Sequence, residues 1–177
     1  MGSSYVSLHY HLVFSTKERR PFINSIWCSH LHQYLGATVR GLRGEPRSIG
    51  GVEDHVHLLV SLDANHRIKD FLRELKKASS VWAADQYCPQ FAWQEGYAAF
   101  SVSASHQDRV RRYIESQPEH HLKRAFIDEL RILLRKHGIQ YDPKYLEWAT
   151  APASPPGCIP FYHANPGGIA QPPATNF

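Results

Sequence analysis

The sequence predicts an α+β domain, because stretches with two-residue periodicity alternate with longer stretches that have helical periodicity. The chain has 177 residues, which suits a single domain with a sizeable hydrophobic core. The clearest strand lies in residues 50–62. Its apolar side chains at every second position share one face, and His55 and His57 share the other.

The other elements follow from the same criteria. Strands are predicted for residues 5–16, 47–52 and 97–103, and helices for residues 24–42, 67–87, 105–117 and 120–137. Asn65 is expected to cap the second helix, and Ser105 with Asp108 is a capping-box pattern for the third. Pro118 limits that helix and Gly138 closes the last one.

The segment from Ala149 to Phe177 differs from the rest of the chain. It contains no Asp, Glu, Lys or Arg, but holds seven of the twelve prolines. Such a composition predicts an extended tail with little to bury, partly packed through Ile159, Phe161 and Tyr162.

Two histidine pairs are candidate metal ligands. His55 and His57 lie about 7 Å apart along one face of a strand, so both rings can converge on one divalent cation. His9 and His11 repeat the pattern in the first strand. Spacing alone does not choose between the pairs, and either could be structural.

A second constellation lies at the end of the third predicted helix. Tyr113 and Gln117 are four residues apart and would share a helix face. A cation held by a histidine pair polarises a phosphate, which a tyrosine hydroxyl in line with it can attack. The amide oxygen of Gln117 is a plausible third ligand. The alternative is that Tyr113 packs on the core and Gln117 is solvated.

Basic residues indicate a polyanionic partner, in keeping with a formal net charge of +4. They could equally form solvated loops and helix faces. The candidate DNA-binding residues lie in the turn after the first strand, along the exposed side of the second helix, and beside Tyr113: Lys17, Arg19, Arg20, Lys69, Arg73, Lys76, Lys77, Arg109 and Arg112. The row on the second helix is expected to have no acidic residue beside it.

The cysteines and the apolar runs of the sequence indicate in which cellular compartment the protein is expected. Cys28, Cys88 and Cys158 are far apart and odd in number, so no disulfide framework is expected and the cytoplasm is the predicted setting. The sequence also shows no signal sequence and no apolar run of membrane-spanning length, so no membrane association is expected.

In combination, three segments resemble the single-tyrosine HUH transposases of small bacterial insertion sequences, the group typified by insertion sequence 200, which includes palindrome-associated tyrosine transposases. The segments are residues 10–17 with 19–21, residues 54–60 (DHVHLLV) and residues 113–121 (YIESQPEHH). With the ending around residues 126–146, the resemblance covers roughly residues 5–148. It therefore assigns residues 1–148 to an HUH transposase domain and residues 149–177 to a tail.

The resemblance implies a fold, a site and a reaction. The fold is a ferredoxin-like α+β domain with a central antiparallel sheet and helices on one face. The ligands of Mg²⁺ or Mn²⁺ are His55, His57 and Gln117, which resolves the tie with His9 and His11, and the nucleophile is Tyr113. The reaction is cleavage and rejoining of single-stranded DNA, with hairpins, through a 5′-phosphotyrosine, by a homodimer.

Two other classes of function compete with this interpretation. A nucleotide hydrolase of the histidine-triad type requires His-x-His-x-His, but position 59 is Leu. A non-catalytic, domesticated nucleic-acid-binding regulator of the same fold would have no need of the complete set of candidate catalytic residues. His120 and His121 are expected to be a solvated turn.

Overall fold

The computed structural model describes residues 5–121, 125–143 and 146. In this part of the chain, four strands and five α-helices form one α+β unit: β1 (Leu8–Ser15), α1 (Cys28–Gly41), β2 (Glu45–Val52), β3 (His55–Leu62), α2 (Ile68–Gln86), β4 (Ala98–Val102), α3 (Gln107–Glu115), α4 (Gln117–His121) and α5 (Phe126–Lys136). The predicted tail, residues 149–177, lies outside the described residues. None of the described helices has the length and apolar character needed to cross a membrane.

The sheet has the order β2-β3-β1-β4, and every neighbouring pair is antiparallel. With the element order β1-α1-β2-β3-α2-β4, this is the ferredoxin-like topology that the resemblance implied. β3 lies between β1 and β2, so His57 is flanked by Val13 of β1 and Gly50 of β2. The histidine strand is therefore central in the sheet.

The sheet is covered by helices on both faces. One face packs on α1 and α2 in the largest hydrophobic cluster, which includes Leu58 of β3, Leu35 of α1 and Leu72 of α2. The other face packs on α3 and α5, whose contributions include Ile114 and Phe126. The expectation of helices on a single face is wrong, since α3, α4 and α5 form a second helical layer over the histidines.

Several local predictions are also corrected. α3 begins at Gln107 with His106 as its N-cap and has no side-chain capping bond, so the capping-box prediction is wrong. α2 likewise starts after Arg67, without a cap from Asn65. The last predicted helix is two shorter ones, α4 and α5. Gly138 ends α5 with a φ of 65°, as predicted.

The cysteines only partly follow the prediction. Cys28 is a free thiol and is half-buried on α1, in agreement with it. Cys88 is disulfide-bonded, so the expectation of unpaired cysteines is wrong there.

Candidate metal and tyrosine site

The two histidines of β3 are the centre of a buried polar cluster. His55 and His57 are both fully buried on the face that α3 to α5 cover, and their ring centroids are 5.0 Å apart. The Nε2 atoms of both rings are inaccessible to solvent and have no hydrogen-bond partner among the described residues. Two unpartnered imidazole nitrogens in a buried site are what ligation of a cation requires.

A carboxylate fixes the orientation of His55. The ring Nδ1 lies 2.7 Å from Oδ1 of Asp54, and the other carboxylate oxygen, Oδ2, accepts a hydrogen bond from the Arg19 guanidinium. Burial raises the pKa of Asp54, but the hydrogen bond and charge of His55 together with Arg19 hold it below its ordinary value. Because an ionised carboxylate only accepts hydrogen bonds, Nδ1 of His55 is the donor in this contact, which leaves Nε2 as the ring atom directed into the cluster.

His11 does the same for His57. Its Nε2 lies 2.9 Å from Nδ1 of His57, and the two rings stack with centroids 5.1 Å apart. Burial lowers the pKa of His11 to about 4 and, together with the charges of His55 and His11, lowers the pKa of His57 well below its ordinary value. Both rings are therefore neutral at pH 7, and Nε2 of His57 is available as a ligand when its Nδ1 is the donor.

His9, the other member of the first pair, is directed elsewhere. Its Nδ1 lies 2.8 Å from Oγ of Ser61, and its Nε2 lies 3.2 Å from the amide nitrogen of Gln107. His9 and His11 therefore do not converge on a common point.

Tyr113 and Gln117 are brought to the same cluster by α3 and α4. Tyr113 lies edge-on to His57, with ring centroids 5.8 Å apart. Gln117 is fully buried at the start of α4, after a break at Ser116, and its Oε1 has no hydrogen-bond partner among the described residues. The two side chains converge as predicted, although they do not share one continuous helix.

The close approach of α3 to the sheet depends on a glycine. A Cβ placed on Gly50 of β2 would lie 2.5 Å from the backbone oxygen of Ile114 and 2.9 Å from its Cγ2. Only a residue without a side chain allows the backbone beside Tyr113 to lie this close to the histidine strand.

Glu129 and His121 also belong to the cluster; Glu129 was not predicted, and the expectation that His121 lies in a solvated turn is wrong, because its Nε2 is buried beside Glu129. Glu129, buried in the first turn of α5, accepts hydrogen bonds from the Tyr113 hydroxyl and, at 2.8 Å, from Nε2 of Gln117. Its carboxylate oxygens lie 3.6–3.7 Å from Nε2 of His55, His57 and His121. Burial raises the pKa of Glu129, but His121, His57 and Tyr113 hold it well below its ordinary value.

The donor atoms fit a divalent cation. Ligand atoms of His55, His121 and Glu129 all lie within 4.8 Å of one another, and His57 and Gln117 present unpartnered atoms beside them. Imidazole nitrogen with amide and carboxylate oxygen suits Mn²⁺, Zn²⁺ and related ions, and carboxylate oxygen also suits Mg²⁺.

The predicted DNA-binding residues fall into two groups. Lys17 and Arg20 lie in the turn after β1, and Lys17 is exposed; an ion pair between Arg19 and Asp54 ties this turn to the site. Arg109 and Arg112 are exposed on α3 beside Tyr113. Arg19 itself is mostly buried, with its guanidinium 4.9 Å from the centroid of the Phe126 ring.

The second group lies on α2, on the opposite face of the sheet. Lys69 and Lys77 are exposed, as expected. Arg73 pairs with Asp70 and Glu74, so the prediction of a row without acidic neighbours is wrong. Lys76 turns inward and donates to the backbone oxygens of Gln94 and Gly96 at 2.6 and 2.8 Å.

A ferredoxin-like sheet whose buried His-x-His pair faces a helix-borne tyrosine is the arrangement that the resemblance to single-tyrosine HUH proteins implied. Comparison with known proteins agrees with it. The family model described as "Transposase IS200 like" matches residues 4–117. This chain therefore belongs to the IS200-like transposase family.

Individual relatives point the same way. The ISDra2 transposase TnpA of Deinococcus radiodurans is 33% identical over 137 residues, which cover 66% of this chain and 89% of that protein. A crystal structure of a transposase from D. radiodurans R1 is 28% identical and covers 66% of this chain and 96% of its own, with a TM-score of 0.53.

A third relative supports the fold alone. The REP-associated tyrosine transposase, solved bound to a REP hairpin, is 16% identical with a TM-score of 0.50. The match covers 68% of this chain and 73% of that one.

Proposed function

We propose that this transposase cleaves and rejoins single-stranded DNA, with Tyr113 as the nucleophile and a divalent cation, Mg²⁺ or Mn²⁺, held by His55, His57 and Gln117. The observation that carries the proposal is the set of unpartnered buried atoms, Nε2 of both histidines and Oε1 of Gln117, beside the tyrosine. Bound there, the cation would polarise the scissile phosphate and stabilise its developing charge.

The chain's own residues hold the reacting groups in place. Asp54 and His11 fix the ring orientations of His55 and His57 through their Nδ1 atoms. The Tyr113 oxygen forms a bond to phosphorus as the bond from phosphorus to the 3′ oxygen breaks. The proton lost by the phenol is matched by the proton gained by the 3′ oxygen. The products are a 5′-phosphotyrosine and a free 3′-OH, so a second 3′-OH can reverse the step and join new ends.

DNA contact is proposed for four basic side chains that lie on or beside the face of the sheet that carries the histidines: Lys17, Arg20, Arg109 and Arg112. Their support is position, since the turn carrying Lys17 and Arg20 is joined to Asp54 through Arg19 and the two α3 arginines flank Tyr113. The hairpin bound by the REP-associated relative makes a hairpin-containing single strand a reasonable substrate to test. We place this reaction in the cytoplasm, where bacterial DNA lies.

A homodimer is also proposed, because excision has two DNA ends to cut and each chain offers one Tyr113. One copy of the chain already brings Tyr113 against its own His57, which supports catalysis within a single chain. Sedimentation of the protein with DNA at micromolar concentration tests the assembly, and a monomer alone would contradict it.

A nicking assay tests the proposed reaction. Full-length protein is incubated with labelled single-stranded hairpin DNA in Mn²⁺, in Mg²⁺ and in excess EDTA, with His57→Ala and His11→Ala alongside. We expect cleavage in both metals, none in EDTA and none with His57→Ala. Cleavage that survives in His57→Ala but disappears in His11→Ala would show that the wrong histidine pair was chosen. Strand binding without cleavage under every condition would favour a non-catalytic regulator.

A further inference from the structure

Glu129 occupies a central position in the cluster that the proposed reaction leaves unexplained. Its Oε1 accepts hydrogen bonds from the Tyr113 hydroxyl and Gln117. Its two oxygens face three imidazole nitrogens, and those of His55, His57 and His121 are all buried and unpartnered within the described residues. A buried carboxylate that faces three ring nitrogens at distances too long for hydrogen bonds leaves several buried polar atoms unsatisfied, and a shared cation would satisfy them.

The separations between the Glu129 oxygens and the three ring nitrogens bear on whether hydrogen bonds or a shared metal ion would join them. An N–H···O bond would bring Glu129 and each ring nitrogen to about 2.7–3.2 Å. Two atoms that each bind the same ion at about 2.1 Å lie about 3.0 Å apart at an octahedral angle and about 3.4 Å apart at a tetrahedral angle. The observed separations are 3.7 Å for His55 and 3.6 Å for both His57 and His121, which are too long for hydrogen bonds, and small inward shifts of these side chains would bring them to the spacing of ligands around one ion.

We infer that Glu129 is the anionic ligand of the metal ion, that His121 is a further ligand, and that this set selects a transition-metal ion such as Mn²⁺ over Mg²⁺. The inference rests on the proposed function for the ion's presence at His55 and His57. Imidazole nitrogens suit transition-metal ions, and Mn²⁺ accepts them beside oxygen ligands, whereas Mg²⁺ prefers oxygen ligands and water alone. The full donor set spans β3, α4 and α5.

The same contact positions the nucleophile. The Tyr113 hydroxyl donates to the carboxylate that we assign to the ion, so α5 holds the phenol oxygen beside the metal site. Glu129 therefore acts as a ligand and as a positioning residue for Tyr113. Its loss should weaken metal binding and loosen the tyrosine, while leaving the surface that contacts DNA unchanged.

Metal binding measured directly tests this assignment. The full-length protein is titrated with MnCl₂ and MgCl₂ by calorimetry, and its thermal unfolding is followed with and without each ion. We expect the wild type to bind Mn²⁺ at least about tenfold more tightly than Mg²⁺. Glu129→Gln should lose at least about tenfold in Mn²⁺ affinity and lose most of the Mn²⁺-dependent stabilisation. His121→Ala should lose less.

Asp128→Asn is the matched control. Asp128 precedes Glu129 in the first turn of α5, is exposed and pairs with Arg131, so its replacement removes the same charge from the same helix end. This variant should bind Mn²⁺ like the wild type. Glu129→Gln should also keep the wild-type affinity for single-stranded DNA, which separates a lost ligand from a lost fold.

The outcomes separate this inference from the proposed function. If His57→Ala abolishes Mn²⁺ binding while Glu129→Gln binds normally, the metal site stands and the role of Glu129 is wrong. If neither variant changes Mn²⁺ binding, the proposed site fails as well. Should Glu129→Gln not fold, a crystal structure of the Mn²⁺-loaded wild type decides. A Glu129 oxygen within about 2.3 Å of the ion supports the assignment and one beyond about 3.5 Å overturns it.

Discussion

The two faces of the sheet differ in chemistry although they share the same strands. The face towards α1 and α2 is packed with aliphatic and aromatic side chains, of which Leu58 is fully buried. The face towards α3, α4 and α5 buries the histidines, Gln117 and Glu129 at its centre. His57 and Leu58 are neighbours in sequence and lie on opposite faces, so one strand contributes to folding on one side and to the site on the other.

Substitutions at these two neighbours give the largest expected contrast. Leu58→Ala should lower the free energy of unfolding by about 2–5 kcal/mol, because it leaves a cavity in the core. His57→Ala should cost less stability but reduce nicking by at least about 10³-fold, because it removes a proposed ligand. Urea denaturation and single-turnover nicking of both variants measure the two effects. A His57→Ala protein that is unfolded, or a stable Leu58→Ala protein without activity, would break the division between the faces.

The next largest effect is expected at the contact between β2 and α3. Gly50→Ala places a methyl group 2.5 Å from the backbone oxygen of Ile114, so α3 must move away from the sheet. A displacement of Tyr113 by about 1 Å should cost on the order of 10²-fold in cleavage rate. Gly41→Ala in α1 is the control, since nothing lies within 4 Å of its added Cβ. Equal cleavage by the two variants would mean that α3 does not depend on this approach.

Charge removal on the two sides of the sheet should have unequal effects on DNA affinity. Replacing Arg109 and Arg112 with Gln should make the salt dependence of single-strand binding shallower by about 1.4 log units per log unit of salt, at about 0.7 per phosphate. The same change at Lys69 and Lys77 on α2 should leave the slope nearly unchanged. Fluorescence anisotropy titrations at several salt concentrations measure both slopes. If the α2 pair has the larger effect, the DNA path must run over the other face.

The smallest expected effect is a pH dependence at Lys76. Burial lowers its pKa from 10.5 to about 8, against the opposing charge of Glu95. Between those values the unfolded chain binds more protons than the folded one, so stability should rise with pH, while below pH 8 the full cost of burying the ammonium remains. The side chain is only partly buried, so the rise should be shallow. Urea midpoints between pH 7.5 and 10 should rise less in Lys76→Met than in the wild type, and parallel curves would contradict the assignment.

Periodicity predicted the strands, and the family resemblance implied how they form an antiparallel sheet. Strands β1 and β3 show alternation, and the split of His57 from Leu58 onto opposite faces follows directly from it. Helix ends were predicted less well, because the starts of α2 and α3 lack the side-chain caps that Asn65 and Ser105 suggested. The choice of local hydrogen bonds depends on tertiary packing, which a short sequence pattern does not specify.

The site was only half visible in the sequence. His55, His57 and Tyr113 stand in patterns that suggest ligands and a nucleophile, whereas Glu129 lies in an ordinary amphipathic helix. One signal was present, since Glu129 falls three residues after Phe126 on the apolar side of α5, where an acid needs a partner. Which partner it finds depends on how α5 packs over the sheet, and that is a property of the fold.

The same limit applies to the basic side chains of α2. Spacing placed Arg73 and Lys76 on the outer side of α2, but it did not show that Asp70 would pair with Arg73 or that Lys76 would turn towards a backbone loop. A long side chain can reach several neighbouring groups, so its partner depends on the surrounding structure. A row of basic residues in the sequence therefore predicts which residues share a helix face better than it predicts the net charge of that face.

The central claim is that Tyr113 forms the covalent link to DNA, and trapping that link tests it most directly. Wild-type protein and Tyr113→Phe are incubated with a single strand whose 5′ fragment, which carries the free 3′-OH, diffuses away after cleavage, and the adduct is digested and located by mass spectrometry. Phe lacks one oxygen and packs almost identically, so folding, metal binding and DNA affinity should persist while cleavage and adduct disappear together. In the wild type the nucleotide should be attached to the peptide that contains Tyr113. An adduct on another tyrosine, or cleavage by Tyr113→Phe, would contradict the account.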